Sequence, residues 1–165
     1  MRAIGAVMCM VLFFGLSGCS TSKFRTYNGP EVTKVVVNKA DRRMHLLHYD
    51  EVLKSYDIDL GFAPEGHKQF EGDGKTPEGE YIIDRRNPNS EFHLSIGISY
   101  PNPADVTRAR MAGLSPGGDI FIHGESKRGF GAKRDWTWGC IAVTNREMED
   151  IYAMVRNGTP ILVNP

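Results

Sequence analysis

A histidine and a Gly-Cys pair fall close enough in this chain to carry acyl-transfer chemistry. His123 ends the apolar run Asp119-Ile120-Phe121-Ile122, and Thr137-Trp138-Gly139-Cys140-Ile141 follows after a glycine- and lysine-rich loop. A thiol is a useful nucleophile as thiolate, and a nearby imidazole can take its proton. That imidazole needs an acceptor on its other nitrogen, a role that a backbone carbonyl can fill. Gly139 lets the backbone approach a substrate carbonyl, so the amides of Gly139 and Cys140 are candidates to receive an oxyanion. The same residue types also fit an inert buried cysteine beside a histidine.

The cysteine inventory narrows this choice. The chain has three cysteines, at positions 9, 19 and 140. Arg2 and the apolar stretch from Ala3 to Leu16 read as a signal peptide, too short for a comfortable membrane span. Leu16-Ser17-Gly18-Cys19 resembles the lipobox of bacterial lipoproteins, in which the cysteine is acylated and becomes the new N-terminus. An ordinary signal peptide or an uncleaved anchor is the alternative. Residues 1–18 are thus expected to leave, and residues 19–31 to form a lipidated tether with a turn at Asn28-Gly29-Pro30. Residues 32–165 are expected to form one domain. Ser20 resembles the residue type that sends such lipoproteins to an outer membrane, facing the periplasm. Cys140 is then the one free thiol of an exported protein, either packing filler or reactive group. Twenty basic and twenty acidic side chains give no net charge, and nothing suggests a nucleic-acid partner.

The elements that must position His123 and Cys140 read as mainly β. Val35-Val36-Val37, Met44 to Tyr49 and Val52 to Leu60 suggest a meander of antiparallel hairpins. The glycine-rich segment from Glu71 to Gly79 leads into a strand over Glu80 to Asp84. Phe92, Leu94 and Ile96 alternate as a half-buried strand would. Residues 101–118 read as irregular, with a helical turn around Ala104 to Met111. One helix is clear: Thr144 and Glu147 form a capping-box pair, and Met148, Ile151, Tyr152 and Val155 recur at helical spacing. Asn157-Gly158 is its expected stop, and Pro160 to Val163 the closing strand.

Residues 122–145 resemble the signature of the L,D-transpeptidase (YkuD-type) family: a His-Gly, then a loop, then a Ser/Thr-x-Gly-Cys block. Asp73-Gly74-Lys75-Thr76-Pro77-x-Gly79-x-Tyr81 resembles the family's other recurrent block. The resemblance implies a β-sandwich-like catalytic domain acting on peptidoglycan stem peptides. Cys140 would be the nucleophile and His123 the base, with the backbone carbonyl of Gly124 orienting the imidazole. The thioester would pass to an amine of a second stem, without metal or cofactor. Resolution by water would instead make a carboxypeptidase, or an amidase releasing a wall-attached lipoprotein. A non-catalytic wall-binding lipoprotein is the rival from outside the enzymes. Two positions depart from the pattern: Trp138 stands where many members have histidine, and Ala142 where many have arginine. Thr137, Trp138, Lys133 and Arg134 are the expected substrate contacts, with Lys127 and Arg128 in the same loop.

Three other signals are set aside. Gly74-Lys75-Thr76 lacks the first glycine of a phosphate loop, because position 69 is Gln69, and Pro77 blocks the required helix. His45 and His48 lie three apart on a strand and so face opposite sides. Glu78 with Glu80, and Asp57 with Asp59, show nothing that would bring them together in a glycosidase cleft.

Overall fold

The computed structural model describes residues 22–125 and 134–165. The signal peptide, the expected lipidation site Cys19, and the loop residues Lys127, Arg128 and Lys133 lie outside the described residues. None of the described helices is long and apolar enough to cross a membrane.

Among the described residues the fold is mainly β, with eight strands in one curled sheet and two helices. Strands β1 (Lys34–Asn38), β2 (Arg43–His48) and β3 (Glu51–Asp57) form the expected antiparallel meander. Alternation fixes their register: Val35, Val37, Met44 and Leu46 are buried on one face. The closing strand β8 (Pro160–Asn164) runs parallel to β1 and antiparallel to β4 (Gly79–Asn87). Beyond β4 come β5 (Ser95–Ile98), β6 (Phe121–His123) and β7 (Ile141–Ala142). The register of β4 against β5 slips between Ile83 and Arg85, and such a bulge bends a sheet. The chain leaving β3 then meets the far edge. Asp59 bridges Ala142 through two backbone hydrogen bonds of 2.8 and 2.9 Å, so the sheet rolls back on itself.

Helix α2 (Asn145–Met154) starts as expected, with reciprocal bonds between Thr144 and Glu147. Met148 and Ile151 are fully buried against β5 and β6. It ends before Asn157-Gly158, because Val155 has already turned to extended backbone to enter the core.

Two expectations are corrected. Residues 103–111 form a full helix, α1 (Pro103–Met111), rather than one turn. It buries only Asp105 and Ala109, so no apolar stripe advertises it; its cap Asn102, Pro103 and the capping-box Asp105 define it instead. The Phe92–Ile96 alternation is not one half-buried strand. His93 takes a left-handed conformation (φ 70°), and β5 begins only at Ser95, with all four of its residues buried.

Candidate active site

Strands β6 and β7 bring the two candidate reactive groups together. They pair in parallel, Ile122 with Ile141 and His123 with Ala142, which sets Cys140 opposite Phe121. Alternation sends Ile122 into the core and leaves Phe121 and His123 on the other face. The Cys140 Sγ accepts from the Phe121 N–H at 3.4 Å and lies 3.6 Å from the Asp119 carbonyl. A cavity of about 280 Å³ contains both Cys140 and His123, with Phe92, Phe121, Ser95 and Asp119 in its walls.

The imidazole is fixed in one tautomer. His123 Nδ1 lies 2.7 Å from the Gly124 carbonyl, which can only accept, so Nδ1 carries the hydrogen and Nε2 the lone pair. Gly124 is itself clamped, its amide donating to the Phe92 carbonyl at 3.0 Å. A Cβ there would lie 2.5 Å from Asn145 Oδ1, which is occupied by the Glu125 amide. The rings of Phe92 and Trp136 enclose the imidazole, with centroids 4.4 and 5.6 Å away. Burial accordingly holds the His123 pKa below its ordinary 6.5, partly opposed by the Gly124 bond. Burial also pushes the Cys140 thiol above its ordinary 9.0, against the Phe121 amide. Both shifts favour a neutral thiol beside a neutral imidazole.

A tight turn presents the thiol. Gly139 has φ 123°, a conformation that side chains rarely adopt, and its Cα faces the Lys75 carbonyl. The Thr137 hydroxyl donates to the Cys140 carbonyl at 2.7 Å and accepts from the Gly139 amide at 3.2 Å. Thr137 is thus buried inside the turn. The Gly139 amide, expected to face an oxyanion, is taken by that hydroxyl. Among the described residues, the Cys140 amide has no acceptor.

The glycine-rich block from Glu71 to Tyr81 supports this turn from below. Asp73 accepts from the amides of Gln69, Phe70 and Lys75 and from the buried Lys68 ammonium. Burial alone would raise the Asp73 carboxyl; the Lys68 bond and the three amides bring it below its usual range. Thr76 accepts from the Gly61 amide at 3.1 Å, and the buried Lys39 ties Gly66, Thr76 and Glu78 together. The Lys75 carbonyl is held where Gly139 must pass.

The remaining expected contacts scatter. Trp138 is 72% exposed and stacks edge-on against Phe62, with centroids 5.1 Å apart, outside the cavity. Arg134 lines a second cavity of about 490 Å³ with Asp57, Asp59, Glu125 and Glu147. Trp136 lines that second cavity too and meets His123 edge-on, so it stands between the two spaces. His45 and His48 bond to Ser55 and the Glu31 carbonyl respectively, and no metal-binding cluster occurs among the described residues. Phe92 and Phe121, which wall the site, carried no sequence signal beyond being apolar.

The chain belongs to the L,D-transpeptidase catalytic-domain (YkuD) family, whose model matches residues 33–163. Enzymes of that family act on peptidoglycan stem peptides, which lie outside the cytoplasm. The chain is 28% identical over 172 aligned positions to YafK of Escherichia coli K12, whose L,D-transpeptidase designation is itself provisional. The match covers 94% of this chain but only 64% of YafK, so the chain spans less than two thirds of that relative. Among solved structures it is similar to Pgp2 of Campylobacter jejuni, a helical cell shape determining protein. The identity is 27% and the TM-score 0.63, over 83% of this chain and 49% of that one. Mycobacterium tuberculosis L,D-transpeptidase 1 shares the fold at a TM-score of 0.53 and 14% identity, over 82% of this chain and 62% of that one.

Proposed function

We propose that this chain is a peptidoglycan L,D-transpeptidase in which Cys140 is the nucleophile and His123 the general base. The observation that carries this reading is the cavity shared by a thiol and an imidazole whose lone pair is committed to Nε2 by the Gly124 carbonyl. In the proposed reaction, Nε2 takes the Sγ proton as sulfur attacks the carbonyl carbon of the diamino acid's L-centre. The Cys140 amide receives the oxyanion. His123 then returns the proton to the departing nitrogen of D-alanine, leaving a thioester. An acceptor amine resolves the thioester and restores the thiol. The similarity to Pgp2 supports a role in wall remodelling that bears on cell shape. The lipobox supports a chain cleaved before Cys19, acylated there and tethered through residues 19–31, with its domain in the periplasm.

The test is to mix the purified chain with tetrapeptide muropeptides and a free D-amino acid, and to follow products by mass spectrometry. Exchange of the terminal D-alanine, or cross-linked dimers, is the expected result. Release of D-alanine without exchange would make it a carboxypeptidase, and an unchanged substrate would defeat the reading.

The pKa directions give a second expectation. Active enzyme needs neutral His123 and the Cys140 proton. A depressed histidine keeps its lone pair as pH falls through 6.5, and a raised thiol keeps its proton as pH rises to 9.0. The kcat/KM profile is therefore expected to stay flat between these values, with its limbs outside them. Iodoacetamide should alkylate Cys140 with a single inflection above pH 9. A reactive plateau persisting into acid would show a thiolate–imidazolium pair instead.

A further inference from the structure

One cross-strand row ends at the reactive thiol and has no part in the chemistry described so far. Arg85 on β4 pairs with Gly97 on β5, and Gly97 pairs with Phe121 on β6. The middle residue is glycine for a steric reason: a Cβ at 97 would lie 2.6 Å from Arg85 Cγ and 2.8 Å from its Nε. With that space open, the arginine stem crosses the sheet and its guanidinium stacks 4.6 Å from the Phe121 ring centroid. Phe121 in turn donates its amide to Cys140 Sγ, and both Phe121 and Asp119 wall the Cys140 cavity.

The guanidinium is anchored on one edge and available on the other. One terminal nitrogen, Nη1, is held by both Asp84 oxygens at 2.9 Å. The other, Nη2, meets only Asp119 Oδ1 at 3.3 Å, and the Asp119 side chain is 90% exposed. A ligand carboxylate can displace so weak and solvated a partner. Among the described residues, neighbouring cations are committed elsewhere. Arg86 bonds the Tyr152 and Val155 carbonyls, Lys68 is buried on Asp73, and Arg134 lines the other cavity. Position 142, two after the cysteine, is an alanine.

We propose that Arg85 binds the free carboxylate of the stem peptide's terminal residue, the one that leaves. The proposal rests on the transpeptidase reading above. A single residue follows the scissile bond, so its carboxylate must lie within a few bonds of the sulfur. The row from Arg85 to Phe121 delivers a planar cation beside that position.

The test compares two tetrapeptide stems, one ending in a free carboxylate and one in a carboxamide, with kcat/KM read as loss of the terminal residue. The full chain is expected to prefer the carboxylate by about 10- to 100-fold, the range for a hydrogen bond between charged groups. Arg85→Gln, which keeps a polar stem over Phe121 without the charge, should bring the ratio near one. Arg85→Lys should restore part of it. A merely structural Arg85 would lower both rates together and leave the ratio intact, and that result overturns the proposal. A full chain indifferent to the carboxylate overturns it equally. A full chain that consumes neither stem removes the transpeptidase reading, and the Arg85 assignment with it. Iodoacetamide labelling of Cys140 in each variant reports that the site is still assembled.

Discussion

Replacing Cys140 by alanine is expected to lower turnover of a tetrapeptide stem by at least about 10⁴-fold, the scale seen when a catalytic nucleophile is deleted. Cys140 is the only cysteine among the described residues, so none of them offers a second thiol to take over. The loss should leave the fold intact. Among the described residues, Sγ makes two polar contacts, with the Phe121 amide and the Asp119 carbonyl, and the residue is half-buried. Its removal should cost about 1 kcal/mol of stability, the lower end for a small core truncation. Thermal unfolding and the muropeptide assay on the same preparation separate the two effects. Turnover near that of the parent chain would end the assignment of Cys140 as nucleophile.

The second large effect is expected from Gly139→Ala, a single added methyl that never touches substrate. At φ 123° any side chain is strained, and its Cβ would come 2.6 Å from the Lys75 carbonyl. Backbone strain of this kind costs about 1–3 kcal/mol before the clash is counted. The turn can relieve it only by moving Cys140 away from Phe121 and His123. A displacement of about 1 Å is enough to lose about 100-fold in rate. Gly72→Ala is the matched control. Its φ is also positive, at 85°, but no atom lies within 4 Å of the added Cβ. It should show a modest stability loss by thermal unfolding and no comparable loss of turnover. Equal rate losses in both variants would show that strain alone, rather than the Lys75 contact, governs the turn.

What the sequence disclosed followed from how local each signal is. Helix α2 was legible because Thr144, Glu147 and an apolar stripe lie within eleven residues of one another. The β1–β3 meander was legible because alternation and short polar breaks act over a few residues. The same holds for His123 at a strand end and Cys140 after a glycine. Helix α1 was underestimated because its determinants are polar: an Asn102 cap and the buried Asp105, which receives bonds from Tyr81, His67 and Arg108. Tyr81 and His67 come from distant segments, and no period announces them. The engagement of the Gly139 amide by Thr137 was equally hidden, because it depends on a turn geometry that residue types do not specify. The Arg85–Gly97–Phe121 row needs the register of three strands, and the bulge in β4 shifts that register. A glycine in a strand was its one visible trace.

The most direct test of the account is the mass of the intact chain a short time after mixing with a tetrapeptide stem, followed by peptide mapping. The expected product is a covalent adduct on Cys140 equal to the stem less its terminal D-alanine, discharged by added amine. Steady release of D-alanine with no adduct on Cys140, or with an adduct on another residue, would contradict it.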